Sequence, residues 1–127
     1  MIPASYEDLL VAPNTAILAT LLADGTPQAS PVWFLYEDGE ILVSTVTERL
    51  KYRNVRANPA VSFAVVDPER PLRYLEVRGT VDLRDDPDNV VRDAIASKHG
   101  FADGGAFDPP GSTRVSLVIR PSRVIEH

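Results

Sequence analysis

At 127 residues the chain has room for one domain with one core, and 44% apolar with 24% charged residues is the mix of a soluble globule. A net charge of −5 argues against a general nucleic-acid binder, and the absence of cysteine removes disulfide and thiolate chemistry. No apolar run approaches the roughly 20 residues of a membrane helix, and Met1 is followed by neither a basic flank nor a long apolar run, so the expected setting is the cytoplasm.

Taken in order, Ser5-Tyr6-Glu7-Asp8 before Leu9 and Leu10 predicts a short helix capped by Ser5 and stopped by Pro13. Residues 14–22 read as a strand, Asp24-Gly25 as a hairpin turn, and residues 27–36 as the returning strand. Pro27 and Pro31 cannot donate ladder hydrogen bonds, which places that strand at an edge or makes it irregular there. Asp38-Gly39 marks a second hairpin, and residues 41–46 complete an antiparallel meander. Residues 48–58 predict a helix ended by Pro59, and residues 61–66 a fourth strand. Residues 73–83 alternate, with Tyr74, Glu76, Arg78 and Thr80 on one face and Leu75, Val77, Gly79 and Val81 on the other. Asp86-Pro87 opens a helix that runs to Lys98 and ends at Gly100. Residues 101–112 are a long loop without period, residues 113–120 a sixth strand, and residues 123–126 a short last one after Pro121. Many strands, few short helices and tight turns make an antiparallel β-barrel or sandwich with helical inserts, in one domain over residues 1–127.

The chemistry concentrates after the third strand. Arg49, Lys51, Arg53 and Arg56 put four cations into eight residues of an acidic chain. If the backbone stays extended to about Lys51, Arg49 and Lys51 project together beside fresh helix N–H groups, with Ser44 and Thr45 adding hydroxyls. That set suits a phosphate or other anion. The alternative is a solvated amphipathic helix, since Arg49, Arg53 and Arg56 share a helical face. Lys51 is one of only two lysines beside eleven arginines. Trp33, in Ser30-Pro31-Val32-Trp33-Phe34, either flanks a planar ligand or is a core residue. Glu76 and Arg78 either pair across strands or turn Arg78 toward a ligand. No spacing suggests a metal site, a catalytic triad or a dinucleotide fingerprint, so an enzyme built on this chain would rely on a cofactor.

The combination of Ala19-Thr20-Leu21, Asp24-Gly25-Thr26-Pro27, Ser30-Pro31-Val32-Trp33-Phe34, Ser44-Thr45, Arg49-x-Lys51, Asn54 and Glu76-x-Arg78-Gly79-Thr80-Val81 resembles the pyridoxamine 5'-phosphate oxidase-like split β-barrel proteins. It is most similar to the branch that uses the deazaflavin coenzyme F-420 (8-hydroxy-5-deazaflavin) rather than FMN. The resemblance runs from about residue 5 to residue 126. It implies a mainly β, antiparallel split β-barrel that forms a homodimer with cofactor sites at the interface. It further implies that Ser44, Thr45, Arg49 and Lys51 hold the cofactor phosphate and that Asn54 supports them. Pro31, Val32 and Trp33 would line the ring, and Arg78 would reach the cofactor or its tail. The implied activity is hydride transfer between reduced deazaflavin and a small-molecule acceptor. The partner subunit's 101–112 loop is expected to close the pocket, and no catalytic residue is assigned. Two other readings stand beside it: an FMN-binding oxidase or reductase, and a non-catalytic flavin- or deazaflavin-binding module. Arg53, Arg56 and Arg78 tip the expectation toward the longer anion of the deazaflavin.

Overall fold

A computed structural model describes residues 1–102, 104 and 108–127 of the chain. Its frame is the strand whose alternation is clearest in the sequence. Strand β6 (Tyr74–Asp85) buries Leu75, Val77 and Val81 while Arg78 and Thr80 face out. It pairs antiparallel with β5 (Ala60–Val66) on one side and β7 (Arg114–Glu126) on the other. Beyond them, β1 (Ala16–Leu21) pairs with β5, and β4 (Glu40–Val46) pairs with β7. The edges are β2 (Pro27–Val32) and β3 (Leu35–Glu37), so the described strands form one curled sheet in the order β2-β1-β5-β6-β7-β4-β3. This mainly β, antiparallel half-barrel is the expected split-barrel class.

The expected meander does not form. Residues 27–36 break at Trp33 and Phe34, and the two halves lie at opposite ends of the sheet. Two causes act together. Pro27 and Pro31 restrict β2 to an edge. Phe34 turns fully inward and meets Phe63 edge-on at 5.0 Å, which no flat continuation of β2 allows. The Asp38-Gly39 hairpin closes as expected, with φ of 53° and 77°, both in the left-handed region a tight primed turn requires.

Conversely, the two final strands are one. The interruption at Pro121 is absorbed by a bulge in the pairing between Arg78 and Gly79. Gly79 is needed there: a Cβ on it would stand 2.0 Å from the Arg120 carbonyl oxygen.

Three helices complete the described structure. Helix α1 (Glu7–Val11) inserts Leu9 and Leu10 into the core. It follows a 3-10 turn, Ala4–Tyr6, so Ser5 lies inside that turn and does not cap the helix as expected. Helix α2 (Leu50–Ala57) packs on β1 and β4, tied by a buried hydrogen bond from Asn54 Nδ2 to Thr20 Oγ1 at 3.0 Å. Helix α3 (Val90–Lys98) is held at its start by Asp86, whose carboxylate accepts from the N–H groups of Val90, Val91 and Arg92. Gly100, at φ 87°, ends it as the sequence indicates.

The barrel interior holds Phe34, Phe63, Ile41, Val43, Leu117 and Ile119. On the other face of β4 and β7, Leu42, Val46 and Val118 are also buried, because α3 packs over that face with Ile95 and Ala96. The site lies in this second, thinner layer. Among the described residues, no helix is long and apolar enough to cross a membrane.

Candidate functional site

A cavity of about 580 Å³ opens between α3, the outer face of β4 and β7, and the kink at Trp33. That volume is in the range of small-molecule sites. Pro31, Val32 and Trp33 form one wall, and Ile95 and Ala96 of α3 another. Ser44 and Arg114 come from the sheet, and Arg49 and Lys51 from the entry to α2. Thr15, Arg92 and Gly104 complete the lining.

The register explains why Ser44 and Arg114 meet. Ser44 pairs with Ser116, so Arg114, two residues on, is its diagonal neighbour on the same face. Arg114 Nη1 donates to Ser44 Oγ at 3.3 Å. Thr45 is 4% exposed and paired with Val115, on the opposite, interior face of β4. On α3, Arg92, Ile95 and Ala96 fall at i, i+3 and i+4, one helical face.

Arg49 is still extended, with φ −80° and ψ 148°, and the helix begins at Leu50. The extended stretch is therefore shorter than the sequence reading supposed, yet both Arg49 and Lys51 reach the cavity. Arg53 and Arg56 stay in solvent, and Arg53 Nη1 donates to the Glu48 carbonyl at 2.8 Å. The basic run thus splits: two cations face the cavity and two are surface charges.

The cations of the cavity differ in their partners. Arg92 pairs with Asp108 at 2.6 Å and with Asp93 at 2.9 Å, and Arg114 also pairs with Asp108. The Asp108 carboxyl is held below its usual range, first by its hydrogen bond with Arg114. Lys51 has no carboxylate partner among the described residues, although it is only 9% exposed. Burial pushes its ammonium below the usual lysine range, and repulsion from Arg49 and Arg114 adds to this. A part-buried cation without a carboxylate partner among the described residues, beside two guanidinium groups and a hydroxyl, has the chemistry to attract an anion.

Trp33 is half-buried and stacks on His99, with ring centroids 4.0 Å apart and planes 5° apart. Phe101 lies 5.6 Å away at 30°. The indole is therefore stacked against protein rings. Trp33 is neither simply core nor an open platform.

Of the residues singled out in the sequence, the cavity brings together Pro31, Val32, Trp33, Ser44, Arg49 and Lys51. Asn54, one turn beyond Lys51, is not in the cavity lining; its Nδ2 donates to Thr20 Oγ1. Arg78 stands elsewhere, in a separate recess with Ser62, Gly79 and Ser122. It is paired with Glu76 at 2.8 Å, two residues back on its own strand rather than across the sheet. Arg92, Arg114 and Asp108 were missed. Arg114 lies two residues before Ser116 in β7, but the pairing with Ser44 that gives it meaning joins residues 70 apart. The expected closure by the 101–112 loop falls in part on residues 103 and 105–107, outside the described residues. Gly104 and Asp108 of that loop stand at the cavity of their own chain.

Residues 2–127 match the family described as pyridoxamine 5'-phosphate oxidase. Among solved structures, an F420 reductase is 38% identical, with 98% of each chain covered and a TM-score of 0.86. The conserved hypothetical protein Rv2991 from Mycobacterium tuberculosis is 23% identical over 99% of this chain and 84% of that one, with a TM-score of 0.83. A putative pyridoxamine 5'-phosphate oxidase from Listeria innocua is 21% identical over 96% of this chain and 94% of that one, with a TM-score of 0.73. These last two share the fold. Comparison with curated proteins gives no match.

Proposed function

Because the chain belongs to the pyridoxamine 5'-phosphate oxidase family, in which flavin-type oxidoreductases share this fold, we propose that its cavity binds coenzyme F-420 and that it reduces a small-molecule acceptor. The observation that carries this reading is Lys51, a buried cation without a carboxylate partner among the described residues. It fits the phosphate of such a coenzyme, with Arg49 as a second donor and Ser44 and Arg114 within the same cavity. A bound deazaflavin supplies the hydride chemistry; the residues of this chain bind, orient and exclude water. Val32, Trp33, Ile95 and Ala96 give the ring an apolar surround, which strengthens the charge contacts at the phosphate end. No side chain is assigned as a proton donor.

The choice of deazaflavin over FMN rests on the 38% identity to an F420 reductase. Arg53, Arg56 and Arg78, which favoured the longer anion in the sequence, do not line the cavity and lend it no support. FMN is the second reading, favoured by the family match itself, because the same phosphate end serves either ring. A homodimer in the cytoplasm belongs to the same proposal. Ile17 and Val66, each 46% exposed on β1 and β5, offer an apolar patch for a second copy.

Fluorescence titration with each coenzyme separately tests the reading. Tighter binding of F-420 supports it, preference for FMN selects the second reading, and no binding of either contradicts both.

A further inference from the structure

Lys98, the last residue of α3, and His99, which caps its end, are absent from the cavity lining, yet both touch the wall that carries Trp33. Lys98 Nζ donates to the Leu10 carbonyl at 2.7 Å and to the Phe34 carbonyl at 3.1 Å. Leu10 O belongs to the end of α1, where carbonyls lack helical partners, and Phe34 O lies in the break between β2 and β3, where the ladder is interrupted. One half-buried ammonium thus satisfies two carbonyls that the fold would otherwise leave bare. It also sits 4.1 Å from the centroid of the Phe34 ring. Next to it, His99 lies flat on Trp33, and its Nε2 is buried without a hydrogen-bond partner. With Nε2 unpartnered, the ring contact with Trp33 is the interaction that orients this edge of the imidazole.

We propose that Lys98 and His99 are positioning residues for the cavity: Lys98 fixes the backbone at the Trp33–Phe34 kink, and His99 fixes the plane of the indole. The ligand-facing wall is then set by the C-terminal turn of α3 rather than by β2 alone. What His99 supplies is a flat ring, so another flat ring can replace it. The inference deepens the coenzyme reading given above, but its spectroscopic consequence holds without any coenzyme.

Trp33 is the sole tryptophan of the chain, so its emission reports this wall directly. The test compares wild type, His99→Phe, His99→Ala and Lys98→Met by tryptophan emission and by titration with F-420 and FMN. The expected result is that His99→Phe keeps the wild-type emission maximum and coenzyme affinity within about twofold. His99→Ala is expected to red-shift the emission and weaken affinity by about five- to tenfold, the upper part of the range an aromatic pair contributes. Lys98→Met is expected to shift the emission as well. If it does not fold, the pair of His99 variants still decides. Unchanged emission and affinity in His99→Ala overturn the proposal. Equal losses in His99→Phe and His99→Ala also overturn it, because they assign the role to the imidazole nitrogens. If the wild type binds neither coenzyme, the functional reading fails, while the emission data still judge the positioning role.

Discussion

Lys51 and Arg114 line one cavity, but only Arg114 has a carboxylate: its guanidinium rests on Asp108, while the buried Lys51 ammonium meets no acid among the described residues. Arg49 and Arg114 both repel the Lys51 charge. This imbalance is the physical basis for reading the cavity as an anion receptor.

It follows that Lys51 costs the free protein stability. Lys51→Met, which removes a desolvated charge and keeps the stem volume, is expected to raise Tm by about 3 °C, equivalent to roughly 1 kcal/mol. The same variant should lose coenzyme affinity by about 10- to 100-fold, the worth of a hydrogen bond to a charged group. Thermal unfolding and titration of one preparation check both signs.

The pH dependence of binding has a definite direction. A bound phosphate favours the charged form of Lys51, whose pKa in the free protein lies below 10.5. Above that lowered pKa, binding must take up a proton, so affinity falls as pH rises, earlier than an ordinary lysine would cause. Titrations across the alkaline range measure the slope, and Lys51→Met should flatten it.

Lys98 makes a separate prediction about stability. Burial brings its pKa down to about 8 in the folded chain, against 10.5 as the ordinary value. Between those values the unfolded chain binds the extra proton, so the contribution of this group to stability rises with pH from about 8 to 10.5 and is flat below 8. The stability difference between wild type and Lys98→Met, followed by denaturant unfolding, should move in favour of wild type over that interval.

Gly79→Ala should destabilise by about 2 kcal/mol or more, because its Cβ meets the Arg120 carbonyl and only backbone movement relieves the clash. Denaturant midpoints measure it. Gly25→Ala, where a Cβ meets nothing within 4 Å, separates this clash from the strain of a turn at φ 85°.

Much of this was legible in the sequence where the signals are local. The two hairpins, the alternation of β6, the Asp86 hold on α3 and the Arg49–Lys51 pair all follow from neighbours within a few residues. Other features depend on distant contacts and were read wrongly or not at all. Phe34 breaks its strand because Phe63 lies across the core, and Pro121 is tolerated because Gly79 accepts the bulge. Arg114 and Asp108 join the site only through the pairing of β4 with β7. Arg78, singled out because its motif resembles the family pattern, pairs with Glu76 and lines a separate recess.

The central claim is most directly tested by a crystal structure of the protein with F-420 or FMN bound. The account predicts a phosphate oxygen about 2.8 Å from Lys51 Nζ, with the ring lying along Val32 and Trp33. A phosphate bound at Arg78, or anywhere that leaves Lys51 without an anionic partner, would contradict it.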